Sequence, residues 1–336
     1  MKTATLRSLV AFTSLIQSCT ATTHPTRTEQ VPMQKAPASW THALSGTTHL
    51  DWEPVLSARW KVSRKGLINF ERPEAKNLPD DEMDIALPVH VLRHPTRGVF
   101  IFDTGVSKDL ADGGSGGAAW PLSLFLSTLK PVEPLSTILA RQPGPLAGVF
   151  YSHLHADHVL GTPDVPRGTP LYTGLHEAQA TSFQNLFLRS SYERFFAGQE
   201  PTTELDLSQA PAIGCVRHAF DFFGDGSLWL IAVPGHTPGS LALVANTQEG
   251  PVLFTGDSSH TRWGWEHHVE PGTYTADHAQ NRDALAQLAS IAREVPQLRV
   301  MVGHEIEPAG PVTEDIARPV ETSTSCAPRP TDSIAK

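Results

Sequence analysis

Three histidines and an aspartate stand within six positions of the segment YSHLHADHVLGT, 151–162: His153, His155, Asp157 and His158. Crowded imidazoles repel one another once protonated, whereas a divalent cation needs neutral imidazole and ionised carboxylate at close quarters. The cluster therefore reads as a metal-binding turn before it reads as a polar loop rich in histidine. Three more residues of ligand type occupy promising places. Asp257 closes the apolar run PVLFTGD, His304 follows the run LRVMVG, and His236 sits in the glycine-rich turn PGHTPG, where backbone can approach a buried ion closely. Five histidines and two aspartates form a donor set suited to two borderline-soft divalent ions, zinc foremost. Such ions lower the pKa of water and polarise an acyl or phosphoryl oxygen, so hydrolysis needs no serine or cysteine nucleophile. Ser152, beside His153, reads as strand-end structure.

Holding these residues together requires strands that end along one edge. DIALPVHVLRHPTRGVFIFD, 84–103, reads as two strands about the turn HPTRG. LAGVFYS, 146–152, is a buried strand running into the histidine cluster. SLWLIAV, 227–233, and SLALVAN, 240–246, flank the turn that carries His236, and 251–257 and 298–305 are further strands. The segment 281–295 is an amphipathic helix with Leu285, Leu288, Ile291, Ala292 and Val295 on one face. Strands with helices between them predict sheets covered by helices, in one domain over 45–312. Two stretches fit this scheme less directly. The glycine run and apolar segment of 112–129 form either a surface loop with a core helix or a mobile lid, and without a following GKS/T they make no phosphate loop. In 177–198, Phe183, Leu186, Phe187, Phe195 and Phe196 fall at helical spacing, a stripe that reads as core before pocket.

With 336 residues, 40% of them hydrophobic, the chain can bury a sizeable core. A net charge of −9 with scattered basic residues provides no clustered positive surface, which disfavours nucleic acid as a partner. Lys2, Arg7 and the short apolar run SLVAFTSLI read as a signal segment, 1–19, too short to span a bilayer as a helix. Residues 16–19, IQSC, resemble the lipobox of bacterial lipoproteins, whose cysteine becomes the lipidated N-terminus; an ordinary cleaved signal or a cytosolic tail are the alternatives. On the lipobox reading the protein is exported, periplasmic or membrane-anchored through Cys19. Residues 20–44 are then a linker and 313–336 a flexible tail. Cys215 and Cys326 remain, available to pair in an oxidising compartment, with nothing in their spacing to decide it.

The ordered set H-x-H-x-D-H, G-H-T-P-G-S, T-G-D and G-H, across residues 85–305, resembles the metallo-β-lactamase superfamily. The resemblance implies the α/β fold class: an αββα sandwich, two mixed β-sheets flanked by helices, with metals at one edge. It implies that His153, His155 and His236 hold one ion, that Asp157, His158 and His304 hold a second, and that Asp257 bridges both beside a hydroxide. IFDTG, 101–105, matches an early element of the family, which makes Asp103 a residue that orients a ligand histidine. Asp257 argues against a true β-lactamase. The short chain beyond His304 leaves out the helical domain of glyoxalase II, and charge and export disfavour the transfer-RNA processing endonucleases. LPVHVLRHPTRGVFIFDTGVS, VPGHTPGSLALVAN, LFTGDSS and VMVGHE are most similar to the N-acyl-homoserine lactonases and their aryl-ester and organophosphate hydrolase relatives. Many of those lactonases carry a tyrosine three residues after the bridging aspartate. Here His260 stands there, and its imidazole is a candidate donor to the substrate carbonyl, with a different reach and pKa. The expectation is an exported dinuclear zinc hydrolase of a lactone or small ester, with Asp157, Asp257 and His260 acting on the substrate. Aryl-ester or organophosphate hydrolysis is the second reading. A non-catalytic surface lipoprotein is the third, and retention of all seven ligand positions argues against it.

Overall fold

The computed structural model describes residues 22–180 and 185–309. The signal segment with Cys19, Phe183, the tail 313–336 and Cys326 lie outside the described residues. The strands are β1 (Thr26–Gln30), β2 (Asp51–Ser63), β3 (Glu82–His94), β4 (Gly98–Phe102), β5 (Lys130–Pro131), β6 (Leu146–Phe150), β7 (Leu171–Gly174), β8 (Thr202–Asp206), β9 (Ala219–Asp221), β10 (Leu228–Ala232), β11 (Leu241–Thr247), β12 (Gly250–Phe254) and β13 (Arg299–Met301). One sheet has the order β1-β8-β7-β6-β4-β3-β2-β5 and the other β13-β12-β11-β10-β9. Both are mixed: β4, β6, β7, β8 and β1 pair in parallel beside the antiparallel β2–β4, and β12 pairs in parallel with β13 beside antiparallel neighbours.

Period-two alternation sorts side chains into layers. Leu241, Leu243 and Ala245 of β11 meet Phe100, Phe102 and Phe150 of the larger sheet. Ala242 and Val244 turn the other way, onto Leu285, Leu288 and Ile291 of the helix His278–Glu294. In β4, Phe100 and Phe102 face between the sheets, while Val99 and Ile101 face the outer cluster with Leu135 and Ile138. Each such Val, Leu, Ile or Phe side chain contributes roughly 1.5–3 kcal/mol by leaving water. The result is the αββα sandwich. The Asp277 side chain caps its helix by accepting from Gln280 N.

The polar N-terminal segment departs from expectation. Residues 20–44 were anticipated as a linker, yet Thr26–Gln30 pair in parallel with Thr202–Asp206 at the sheet edge. Thr23 N donates to Glu193 Oε1 at 2.6 Å, and Trp40 is fully buried against Trp229. Backbone pairing satisfies β1, so its side chains stay in solvent and leave no hydrophobic pattern to read. The apolar stretch of 112–129 divides: Leu122 and Leu126 enter the core, whereas Trp120, Leu124 and Phe125 are exposed. Ala119 N donates to Ser191 Oγ at 2.9 Å, tying this stretch to the helix Asn185–Phe195. On that helix Phe195, together with the adjacent Phe196, is core and Phe187 is exposed. Cys215 is disulfide-bonded, and Cys326, whose pairing with it the sequence leaves open, lies outside the described residues. Among the described residues no helix is long and apolar enough to cross a membrane.

Candidate metal centre

Parallel pairing aligns the strand ends. Because β4 and β6 are parallel neighbours, Asp103 and Ser152 emerge side by side; β12 and β13 deliver Asp257 and His304 in the same way. His236 lies in the turn between β10 and β11. Its carbonyl accepts from Ala276 N at 3.0 Å and that of Gly235 from Asp277 N at 2.9 Å, so the turn is fixed to the start of the long helix. Gly235 has φ +144°, and a Cβ there would lie 2.3 Å from Asn281 N, so only glycine fits. Gly303 is equally constrained: a Cβ would lie 2.0 Å from Asp257 Oδ1.

All seven anticipated ligands converge. Ligand atoms of His153, His155, His236 and Asp257 lie within 4.8 Å of one another, as do those of Asp157, His158 and His304. Asp257 Oδ2 stands at the centre, 3.7 Å from His153 Nε2, 3.5 Å from His236 Nε2, 3.2 Å from His158 Nε2 and 3.3 Å from His304 Nε2. His304 Nε2 is 3.4 Å and His158 Nε2 3.8 Å from Asp157 Oδ2. His155 presents Nδ1, 2.9 Å from His236 Nε2.

The outer nitrogens are anchored, which aims the inner ones. His158 Nδ1 donates to Asp103 Oδ2 at 2.8 Å and His304 Nδ1 to the Ala86 carbonyl at 3.0 Å. Asp103, in the left-handed region at φ +61°, also accepts from Ser152 N at 2.7 Å and Ser152 Oγ at 2.9 Å. Ser152 Oγ in turn accepts from His153 Nδ1 at 3.0 Å. The serine is thus spent on positioning and not on nucleophilic attack.

Burial divides the histidines electrostatically. Desolvation, reinforced by neighbouring imidazoles, holds His153 and His236 well below the ordinary histidine range; burial brings His155 down to about 4. Burial also opposes charge on His158 and His304, but Asp257 and other nearby carboxylates outweigh it and raise both. Burial disfavours the charged form of Asp257 too, yet His304, His260 and His158 hold it well below the usual carboxylate range. Asp257, Asp157 and Asp103 thus favour positive charge on imidazoles in the place a cation would take. The fully buried His153 Nε2, His158 Nε2 and Asp257 Oδ1 have no hydrogen-bond partner. Neutral imidazoles, ionised carboxylates and these unpartnered atoms together fit divalent metal.

His260, expected as a donor to the substrate carbonyl, lies inside the cluster. It is 1% exposed, with Nε2 3.0 Å from Asp257 Oδ2. Its ring centroid is 5.0 Å from that of His236 and 5.2 Å from that of His304. Of the other histidines, His90 is held neutral by burial among Trp52, Phe102 and Phe254, down to about 3, and His94 accepts from Thr96 N and Arg97 N in its turn.

One residue at the centre gave no sequence signal. Glu177, 2% exposed, accepts from Leu154 N at 2.8 Å, Thr237 Oγ1 at 2.7 Å and Gly239 N at 2.9 Å. Leu154 stands between His153 and His155, and Thr237 follows His236, so one carboxylate joins the two loops that present those three ligands. A lone acid in the mixed segment EAQATSF carries no motif by which to find it.

The sequence matches the metallo-beta-lactamase superfamily over residues 88–304, from β3 to His304. The chain belongs to this superfamily. Within it the relatives are lactonase-like. The N-acyl homoserine lactonase AttM of Azorhizobium caulinodans is 25% identical over 236 residues, 67% of this chain and 83% of the relative. The AttM lactonase of Agrobacterium fabrum is 26% identical over 235 residues, with the same shares. In space, a quorum-quenching N-acyl homoserine lactone lactonase superposes with a TM-score of 0.56 at 19% identity, over 77% of this chain and 93% of that one, a likeness of fold. As a member of the superfamily the protein is a metal-dependent hydrolase.

Proposed function

We propose that this hydrolase opens a lactone, or cleaves a small carboxylic ester, with two zinc ions. The observation that carries the reading is the approach of His153, His236, His158 and His304 to the single oxygen Asp257 Oδ2, with His155 joining the first two and Asp157 the last two. The curated relatives named as N-acyl homoserine lactonases support the choice of bond. Bound divalent cations would supply a water of lowered pKa and Lewis acidity toward the ester carbonyl. His153, His155 and His236, neutral through burial, hold one side of the centre without adding charge. Asp257 offsets positive charge from both sides. The Asp157 side chain is 17% exposed against 3% for Asp257, so it is the carboxylate of the set that reaches solvent and substrate. There it can accept the proton released as water adds to the carbonyl and return it to the alkoxide that leaves when the ring opens.

Purified protein should hold about two divalent ions per chain, and chelation should lower acyl-homoserine lactone hydrolysis by about 10²-fold or more, with recovery on adding zinc. Elemental analysis finding under about half an ion per chain defeats the metal reading. Turnover of an aryl ester or organophosphate, with lactone untouched, shifts the function to the second of the expected reactions.

We place the mature chain outside the cytoplasm, attached through Cys19. The lipobox-like IQSC supports this, as does the disulfide at Cys215, a bond of oxidising compartments. Cys19→Ser should move the protein expressed in a bacterial host from the detergent phase to the aqueous phase. A variant that stays as membrane-bound as its parent refutes lipidation.

A further inference from the structure

We propose that His260 is an eighth protein ligand of the metal centre, binding through Nε2 on the side of Asp257 and His304. The proposal rests on the two-metal reading above and assigns His260 to the ions instead of to the substrate carbonyl.

Three observations point this way. The first is spacing. One ligand atom each of Asp257, His260 and His304 lie within 4.8 Å of one another, and His260 Nε2 is 3.0 Å from Asp257 Oδ2. Donor atoms bound about 2.0–2.2 Å from one ion stand roughly 3–3.5 Å apart, so the separation suits neighbouring ligands. The second is satisfaction. Both ring nitrogens of His260 are buried and without a hydrogen-bond partner. Burying a polar group without a partner costs free energy that a coordinate bond at Nε2 removes. The third is rigidity. His304 N donates to the His260 carbonyl at 3.0 Å and Gly303 N to the Ser259 carbonyl at 2.9 Å. These two backbone bonds hold His260 alongside His304, which fixes both imidazoles toward the same carboxylate. A ring so placed has no solvent to turn to, since Thr261 and Ser259 on either side are also buried.

With His260 included, Asp157, His158, His304 and His260 give one side of the centre four protein donors besides the shared Asp257, against three from His153, His155 and His236. An ion that accepts five or six donors suits such a site better than one restricted to four. The two ions should therefore differ in affinity and in colour when cobalt is used.

The test is metal binding, read without turnover. Cobalt-loaded parent protein should show six exchangeable, paramagnetically shifted imidazole N–H signals, one for each of His153, His155, His158, His236, His260 and His304. His260→Gln should lose one signal and release one of its two ions about 10–100-fold more readily to a competing chelator, leaving the other ion unaffected. Five signals in the parent protein overturn the proposal even if the variant fails to fold. So does a folded His260→Gln that keeps both affinities and the parental cobalt spectrum. In that case a fall in kcat alone returns His260 to the substrate carbonyl. Two ions bound with six signals, but no lactone turnover, would defeat the proposed function and leave the ligand assignment standing.

Discussion

Asp257→Asn is expected to lower kcat by about 10³-fold and to leave the protein with close to one divalent ion per chain. The substitution changes almost no volume, so the fold should persist. What changes is charge at the one oxygen about which the centre is organised. Oδ2 lies 3.0–3.7 Å from nitrogens of His153, His158, His236, His260 and His304. A neutral amide binds two cations poorly and leaves more positive charge uncompensated in a buried site. Its NH₂ group would also stand where Asp257 presents lone pairs. Elemental analysis and steady-state kinetics on the same preparation check both parts. Two ions retained, with kcat within about tenfold of the parent, would show that the carboxylate does not join the sites.

The second large effect belongs to a residue that touches no ion. Glu177→Ala should weaken binding of the ion held by His153, His155 and His236 by about 10–100-fold and destabilise the protein by about 3–5 kcal/mol. The truncation leaves Leu154 N, Thr237 Oγ1 and Gly239 N without the acceptor they share. A buried donor stripped of its partner costs about 1–3 kcal/mol, and three such costs do not simply add. Relaxation of the two loops relieves part of that cost and moves the ligands as it does so. Burial raises the pKa of the Glu177 carboxyl, while its three hydrogen bonds favour the ionised form. Glu177→Gln should fall between parent and alanine variant, since its amide oxygen keeps one acceptor but its NH₂ faces donors. Chelator competition and thermal melting of each variant separate the two effects. A Glu177→Ala protein that melts with the parent and keeps both ions equally well would show that the clamp is dispensable.

How much was legible before the structure depended on where the information lies. The motif residues carry chemistry in their own types, so His153, His155, Asp157, His158, His236, Asp257 and His304 could be picked out, and the structure sets them around one point. Strands buried on both faces, such as β10, β11 and β12, announce themselves as apolar runs. β2 did not, because Pro54 and a register shift between Leu56 and Ala58 break its alternation. β1 did not, because an edge strand with every side chain exposed has only backbone hydrogen bonds to recommend it. Glu177 and the depth of His260 were illegible for a related reason. Both depend on loops brought together from distant parts of the chain, and neither burial nor a shared hydrogen bond across that distance leaves a local pattern.

The seating of the N-terminal segment sets how close an anchored enzyme would stand to a bilayer. A linker over 20–44 would reach about 85 Å when extended, enough to let the body tumble freely above a membrane. Among the described residues Thr22 Oγ1 instead accepts from His24 N, Thr23 donates to Glu193 of the helix Asn185–Phe195, and the pairing continues into β1. A lipid at Cys19 would then be joined to the folded body through residues 20–22, a span of about 10 Å. The flank bearing that helix, tied by Ser191 to the segment with exposed Trp120, Leu124 and Phe125, would face the headgroups at almost contact distance. Amphiphilic acyl compounds concentrate at that boundary, so the substrate level governing such an enzyme would be set by partitioning into the membrane and not by the bulk solution.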